Sequence, residues 1–222
     1  CTIILTGILF ARDRRMEKAC GVFVPEKASF RKYWTVFVFG IAGCIAATCL
    51  MAMIQLAFYD DQYQQSAQMM YSASIPVQII GLGIVIPVAE ELMFRGVLYK
   101  RFRERQGFWY SALCSAILFA FMHSNATQMM YSFLLGVFLC YIYEKFGSFK
   151  APVSLHIILN TGSVAFTELG VFAWIGADPM RMAGAVILGA FVCSVMFVLI
   201  QRMDGQINPG NTGADQNRTD MF

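Results

Sequence analysis

The chain reads as an all-α, polytopic transmembrane helix bundle of six complete spans plus a truncated N-terminal span, and three observations support this. Of 222 residues, 58% are hydrophobic and only 14% charged, against roughly 25% charged in a soluble domain. Between the charges lie apolar runs, several of them longer than the ~20 residues a helix needs to cross ~30 Å of hydrocarbon. The cations fall in alternate connections, the pattern of basic loops retained on the cytoplasmic side. An ordinary soluble globule is excluded. Nucleic-acid binding is disfavoured too, because a net charge of +3 with no basic stripe cannot follow a phosphate backbone.

The elements follow in order. Residues 1–11 are apolar but too short to cross, and Arg12, Asp13, Arg14 and Arg15 come next, so 1–33 reads as the tail of a truncated span and a basic cytoplasmic loop. A signal-peptide core fits less well because no basic region precedes it, and a lipidated Cys1 would place seven cations outside. The predicted spans are 34–59, 72–99, 108–124, 127–144, 151–169 and 183–201, within a bundle running from 34 to 202. The uncharged run from Gln106 to Tyr143 holds roughly 38 residues, which as one helix at about 1.5 Å per residue would be roughly 57 Å long, so it must be two spans. Ser124, Asn125 and Thr127 are the short polar residues that favour a turn and a helix cap there.

Lys and Arg in 12–33, 100–107 and 145–150 share one face, while Asp60–Tyr71 is acidic and Gln-rich. The C-terminus is therefore expected in the cytoplasm, and the chain in a bacterial plasma membrane. Residues 203–222 are rich in Asn, Gly, Asp, Gln and Thr and are expected to be a disordered tail. The sequon at Asn217 has no consequence there. Five of the seven cysteines, Cys44, Cys49, Cys114, Cys140 and Cys193, lie in predicted spans without a CxxC, and read as small hydrophobes.

Ionisable groups at membrane depth cost roughly 2.5–3.5 kcal/mol each even on lenient scales, so they are candidates for function. Glu90, Glu91 and Arg95 lie in the second complete span, His123 ends the third, and His156 and Asn160 lie in the fifth. Glu91 and Arg95 are four apart and share a helical face, so they can pair. Glu90 is rotated about 100° from Glu91, free to face a neighbouring helix. His156 and Asn160 are also four apart, and Pro87 should bend or loosen its helix one turn before the glutamates. Each feature has a bland alternative: a buried ion pair fixing register, an interfacial histidine, interhelical hydrogen bonding. Their combination in an otherwise apolar bundle points to a site.

At these residues the sequence resembles the CAAX protease and bacteriocin-processing family, also called Abi or CPBP. Its EExxxR motif is met by Glu90 to Arg95, its FxxxH motif by Phe119 to His123, and its HxxxN motif by His156 to Asn160, over roughly residues 75–170. The resemblance implies an intramembrane endopeptidase that hydrolyses a peptide bond of a membrane-associated or lipid-anchored substrate with an activated water. By that analogy Glu90 is the general base, His123 holds or polarises the water, and His156 and Asn160 stabilise the oxyanion. Glu91 and Arg95 would position the site. No cofactor is favoured, since HExxH is absent; the alternative is a zinc ion on Glu90, His123 and His156. Counted from the cytoplasmic ends, Glu90 lies about 15 Å deep, His156 about 9 Å and His123 about 22 Å, a mismatch that tilt or the Pro87 kink must absorb. The competing readings are a non-proteolytic bacteriocin-immunity or scaffold protein and, further off, a proton-coupled transporter, although the paired inverted halves many transporters show are missing.

Overall fold

A computed structural model describes residues 2–19 and 27–203, and every regular element among them is helical. The helices are α1 (Thr2–Ala19), α2 (Tyr33–Ala57), α3 (Asp61–Tyr71), α4 (Ile75–Arg103), α5 (Phe108–Phe121), α6 (Ala126–Phe146), α7 (Lys150–Glu168), α8 (Val171–Gly176) and α9 (Pro179–Gln201). By length and composition, α4, α6, α9 and the stretch Phe30–Ala57 can each cross a membrane. That gives four such helices among the described residues where six complete spans were expected. α5 has only 14 residues. α7 has 19, but it carries His156, Asn160, Thr161 and two serines, which lower its hydropathy.

Local signals explain most boundaries. The Asn125 side chain accepts from Gln128 N at 2.8 Å and caps α6, as the polar cluster suggested. Gly147, with φ 55°, ends α6 in the left-handed conformation that glycine adopts freely. Two helices were not foreseen. Asp60 caps α3 by accepting from Tyr63 N at 3.1 Å, and α8 fills part of the 168–182 connection. α1 also continues through Arg12–Arg15 to Ala19 rather than ending at Ala11, and Asp13 there meets Arg101 at 3.2 Å. Cys1 and the predicted tail from 204 onward lie outside the described residues.

α2 packs against α7 and α9, α5 against α6, and α4 lies against α1, α5 and α7. The core where α2, α6 and α7 meet contains Val36, Leu139, Ile142, Phe146 and Leu155, all buried. Outward, Ile187, Leu188 and Phe191 of α9 are exposed, which suits a hydrocarbon surround and would be an aggregation hazard in water. The chain is an integral membrane protein.

α4 departs from the uniform helix the sequence implied. Ile79–Val85 and Leu92–Tyr99 are π-helical, and α-helical Ile86–Glu91 joins them. The π-turns are wider, with i→i+5 hydrogen bonds, and such turns concentrate at functional sites. The first π-segment ends at the residue before Ile86 and Pro87, where the missing N–H and the proline ring disrupt the α-pattern. Both glutamates sit on the short α-turn that follows.

Candidate active site

The centre is a buried ion cluster. Arg95 Nη1 donates to Glu91 Oε1 at 2.7 Å, and both side chains are fully buried. Arg95 Nη2 donates to the Gly136 carbonyl on α6 at 3.1 Å, and its guanidinium lies 4.6 Å from the Phe119 ring centroid. Gly136 also lets α5 pack closely on α6, since a Cβ there would sit 2.9 Å from the Ala116 Cβ. The pairing predicted from spacing is present, and α5 and α6 complete the cage around it.

His156 joins the two glutamates. Its Nδ1 lies 2.9 Å from Glu91 Oε1, while Nε2 faces Glu90 Oε2 at 3.7 Å. Glu91 thus orients the imidazole as well as pairing with Arg95. With Nδ1–H donating to Glu91, Nε2 is the ring atom turned to Glu90. Glu90 remains partly accessible, at 24% of its side-chain surface, whereas Glu91 is sealed. One oxygen, Glu91 Oε2, is buried without a hydrogen-bond partner, which a cluster built for stability alone would not favour.

His123 sits apart from this cluster. Its Nδ1 contacts the Phe119 carbonyl at 3.1 Å and its Nε2 the Ser132 hydroxyl at 3.1 Å. Phe119 connects it to the centre: that ring meets His123 at 5.2 Å and His156 at 6.0 Å between centroids, edge to face in both cases. The Phe119 ring thus lies between the two histidines. They do not reach a common ligand position. No group of three His, Cys, Asp or Glu among the described residues is arranged to hold a metal, so Glu90, His123 and His156 do not fit a zinc site in this arrangement.

Asn160 lies on α7 one turn beyond His156. Its Nδ2 donates to the Leu82 carbonyl of α4 at 3.1 Å, and the adjacent Thr161 Oγ1 donates to the Gly83 carbonyl at 3.2 Å. Asn160 also borders a cavity of about 250 Å³ under α3, whose wall includes Tyr63, Tyr71, Gln128, Tyr131 and Ser163.

Residues 72–162 match the type II CAAX prenyl endopeptidase Rce1-like family. The resemblance seen in the three motifs is thereby shown, and every side chain of the cluster lies inside the Rce1-like region, while α2 and α9 lie outside it. Over 88 residues the chain is 25% identical to a Bacillus subtilis (strain 168) protein named "Putative membrane peptidase YdiL", covering 40% of this chain and 36% of that one. It is 31% identical over 101 residues to an Escherichia coli protein named "Uncharacterized 24.3 kDa protein", covering 42% and 46%. The chain thus spans less than half the length of either curated relative. No solved structure matches it.

Sequence reasoning missed Ser132, Thr161, Gly136 and the second role of Glu91. Ser132 and Gly136 gave no signal, because helix pairing alone brings them in. Thr161 could have been found: a proline within a membrane helix leaves a carbonyl that hydroxyl side chains of neighbours often take up.

Proposed function

We propose that the chain is an intramembrane endopeptidase of the CAAX type, acting on a membrane-associated peptide through a glutamate-activated water. One observation carries the reading: Glu91 turns His156 by its Nδ1 so that Nε2 faces Glu90 across 3.7 Å. That gap exceeds a direct hydrogen bond and leaves both atoms able to hold the same water.

Glu90 takes a proton from that water as its oxygen attacks the carbonyl carbon of the scissile bond, then delivers the proton to the departing nitrogen. No covalent enzyme intermediate forms. When Nε2 of His156 carries a proton it donates to the tetrahedral oxyanion, beside the Phe119 ring and among packed helices. His123 supplies a second imidazole once Nε2 leaves Ser132. The cavity beside Asn160, one turn from His156, gives the substrate chain a place to lie. The basic connections, with Arg101, Arg103, Lys145 and Lys150, face the cytoplasm, and the C-terminus lies on that side.

The test compares termini of membrane peptides in cells expressing the wild-type chain or Glu90→Gln at matched levels. New termini that require Glu90 and survive a chelator support the metal-free reading. Identical termini in both cultures would instead favour a protein that acts by binding alone.

A further inference from the structure

We infer that Asn160 and Thr161 form a two-point clamp that takes up the carbonyls Pro87 leaves unpaired and thereby sets the distance from His156 to Glu90. The catalytic consequence rests on the peptidase reading above; the clamp does not.

Pro87 has no N–H. In α-register the carbonyl it deprives is that of Gly83, four residues earlier; in π-register it is that of Leu82, five earlier. The helix enters the proline in π-register, since Ile86 N donates to Gly81 O. Both deprived carbonyls are met by consecutive residues of α7, Leu82 O by Asn160 Nδ2 at 3.1 Å and Gly83 O by Thr161 Oγ1 at 3.2 Å. Carbonyls at membrane depth lack the bulk water they would have outside it, so two donors delivered side by side from one neighbouring helix answer the one defect. The approach also requires a glycine: a Cβ on Gly83 would lie 2.7 Å from Thr161 Oγ1 and 3.3 Å from Thr161 Cα.

The position of the clamp ties it to the site. Pro87 precedes Glu90 by three residues, and Asn160 follows His156 by four. The clamp and the Glu90–His156 approach are therefore joined through about one turn of each helix, and α7 cannot turn or slide against α4 without breaking both. On this geometry Asn160 is a positioning residue, and Thr161, outside all three motifs, is its partner.

The test is a double-mutant cycle on the full chain in detergent and in membranes. Pro87→Ala restores an N–H within reach of both carbonyls. In the wild-type background Thr161→Val should lower the thermal midpoint by about 2–4 °C, the worth of one hydrogen bond. In the Pro87→Ala background the same change should cost about 1 °C or less. Equal costs in the two backgrounds would overturn the clamp. Should Pro87→Ala fail to accumulate, Thr161→Ser decides: it keeps the hydroxyl and should hold the wild-type midpoint, and a loss equal to that of valine would overturn the inference.

For cleavage, Asn160→Ala alone does not discriminate, since a misplacement of ~1 Å and the loss of an oxyanion donor each cost about 100-fold. In the Pro87→Ala background a positioning role predicts a loss below about tenfold. An undiminished 100-fold loss there would make Asn160 a donor to substrate and remove it from the clamp. If the wild-type chain cleaves nothing, the peptidase reading fails, and the midpoints still decide the clamp.

Discussion

Two carboxylate networks in this molecule use their surroundings in opposite ways. Where α2, α3 and α6 meet, Asp60 accepts from Tyr63 N at 3.1 Å and Thr127 Oγ1 at 3.0 Å, Gln55 Nε2 donates to Thr127, and Asp60 N donates to Gln55 Oε1. All its donors are neutral, and the group reaches solvent. At Glu91 the partners are a guanidinium and an imidazole, burial is complete, and one oxygen is orphaned. The first arrangement joins helix ends at little electrostatic cost. The second holds an ion cluster that well-packed apolar residues could replace without loss of stability. Its retention is understandable if it orients His156.

The largest effects should come from separating the two neighbouring glutamates. Glu90→Gln should reduce cleavage by about 10²–10⁴-fold, the usual worth of a general base, with a thermal midpoint close to wild type because Glu90 is partly accessible and not clamped. Glu91→Gln should lower both activity and midpoint, since it weakens the hold on Arg95 and His156 together. Equal midpoints for the two variants, measured by thermal unfolding in detergent, would erase the distinction drawn here. Next comes Arg95→Ala, which leaves Glu91 buried without its cation and should cost about 3–5 kcal/mol, seen as lost expression or a sharply lowered midpoint. Arg95→Lys should recover part of this by keeping the charge without the second bond to Gly136.

The sequence displayed these parts unequally. The Glu91–Arg95 pair and the disturbance at Pro87 were legible because both are properties of one helix, set by its pitch and by a missing N–H. The cap at Asn125 was legible for the same local reason. The partner of Asn160 was not, because Leu82 O becomes available only when α4 takes π-register, and its meeting with α7 depends on packing. Spacing turned Glu90 toward a neighbouring helix and paired Glu91 with Arg95, but it gave no sign that Glu91 would also meet His156, so that one carboxylate faces each ring nitrogen. α3 escaped notice because its Gln-rich segment looks like a loop until Asp60 is seen to cap it. The span expected at 151–169 is present as α7, Lys150–Glu168, although the polar residues that build the site keep it from counting among the helices apolar enough to cross a membrane.

A smaller effect should follow from opening the Asp60 network. Thr127→Val keeps shape and removes the hydroxyl that links Gln55 to Asp60. The midpoint should fall by about 2–4 °C, while cleavage stays at the wild-type rate because neither glutamate of the site is touched. A loss of cleavage at an unchanged midpoint would mean that this network and the buried cluster are coupled, contrary to the comparison.

The smallest effect concerns acid. The backbone N–H of Tyr63, followed by the Thr127 hydroxyl, holds the Asp60 carboxyl below its ordinary value of 3.8. A carboxylate whose pKa is depressed by folding binds its proton less readily in the native state than in the unfolded one. Its contribution is therefore complete at neutral pH and disappears as pH falls below the ordinary aspartate value and through the depressed one. Asp60→Asn retains an acceptor for Tyr63 N and cannot titrate, so its unfolding midpoint should fall less steeply than that of wild type over the same acid range. Because Asp60 is partly exposed, solvent and salt screen the interaction, and the difference in slope should shrink further at high ionic strength. Parallel acid profiles at low salt would show that Asp60 serves α3 through its shape as a cap and not through its charge.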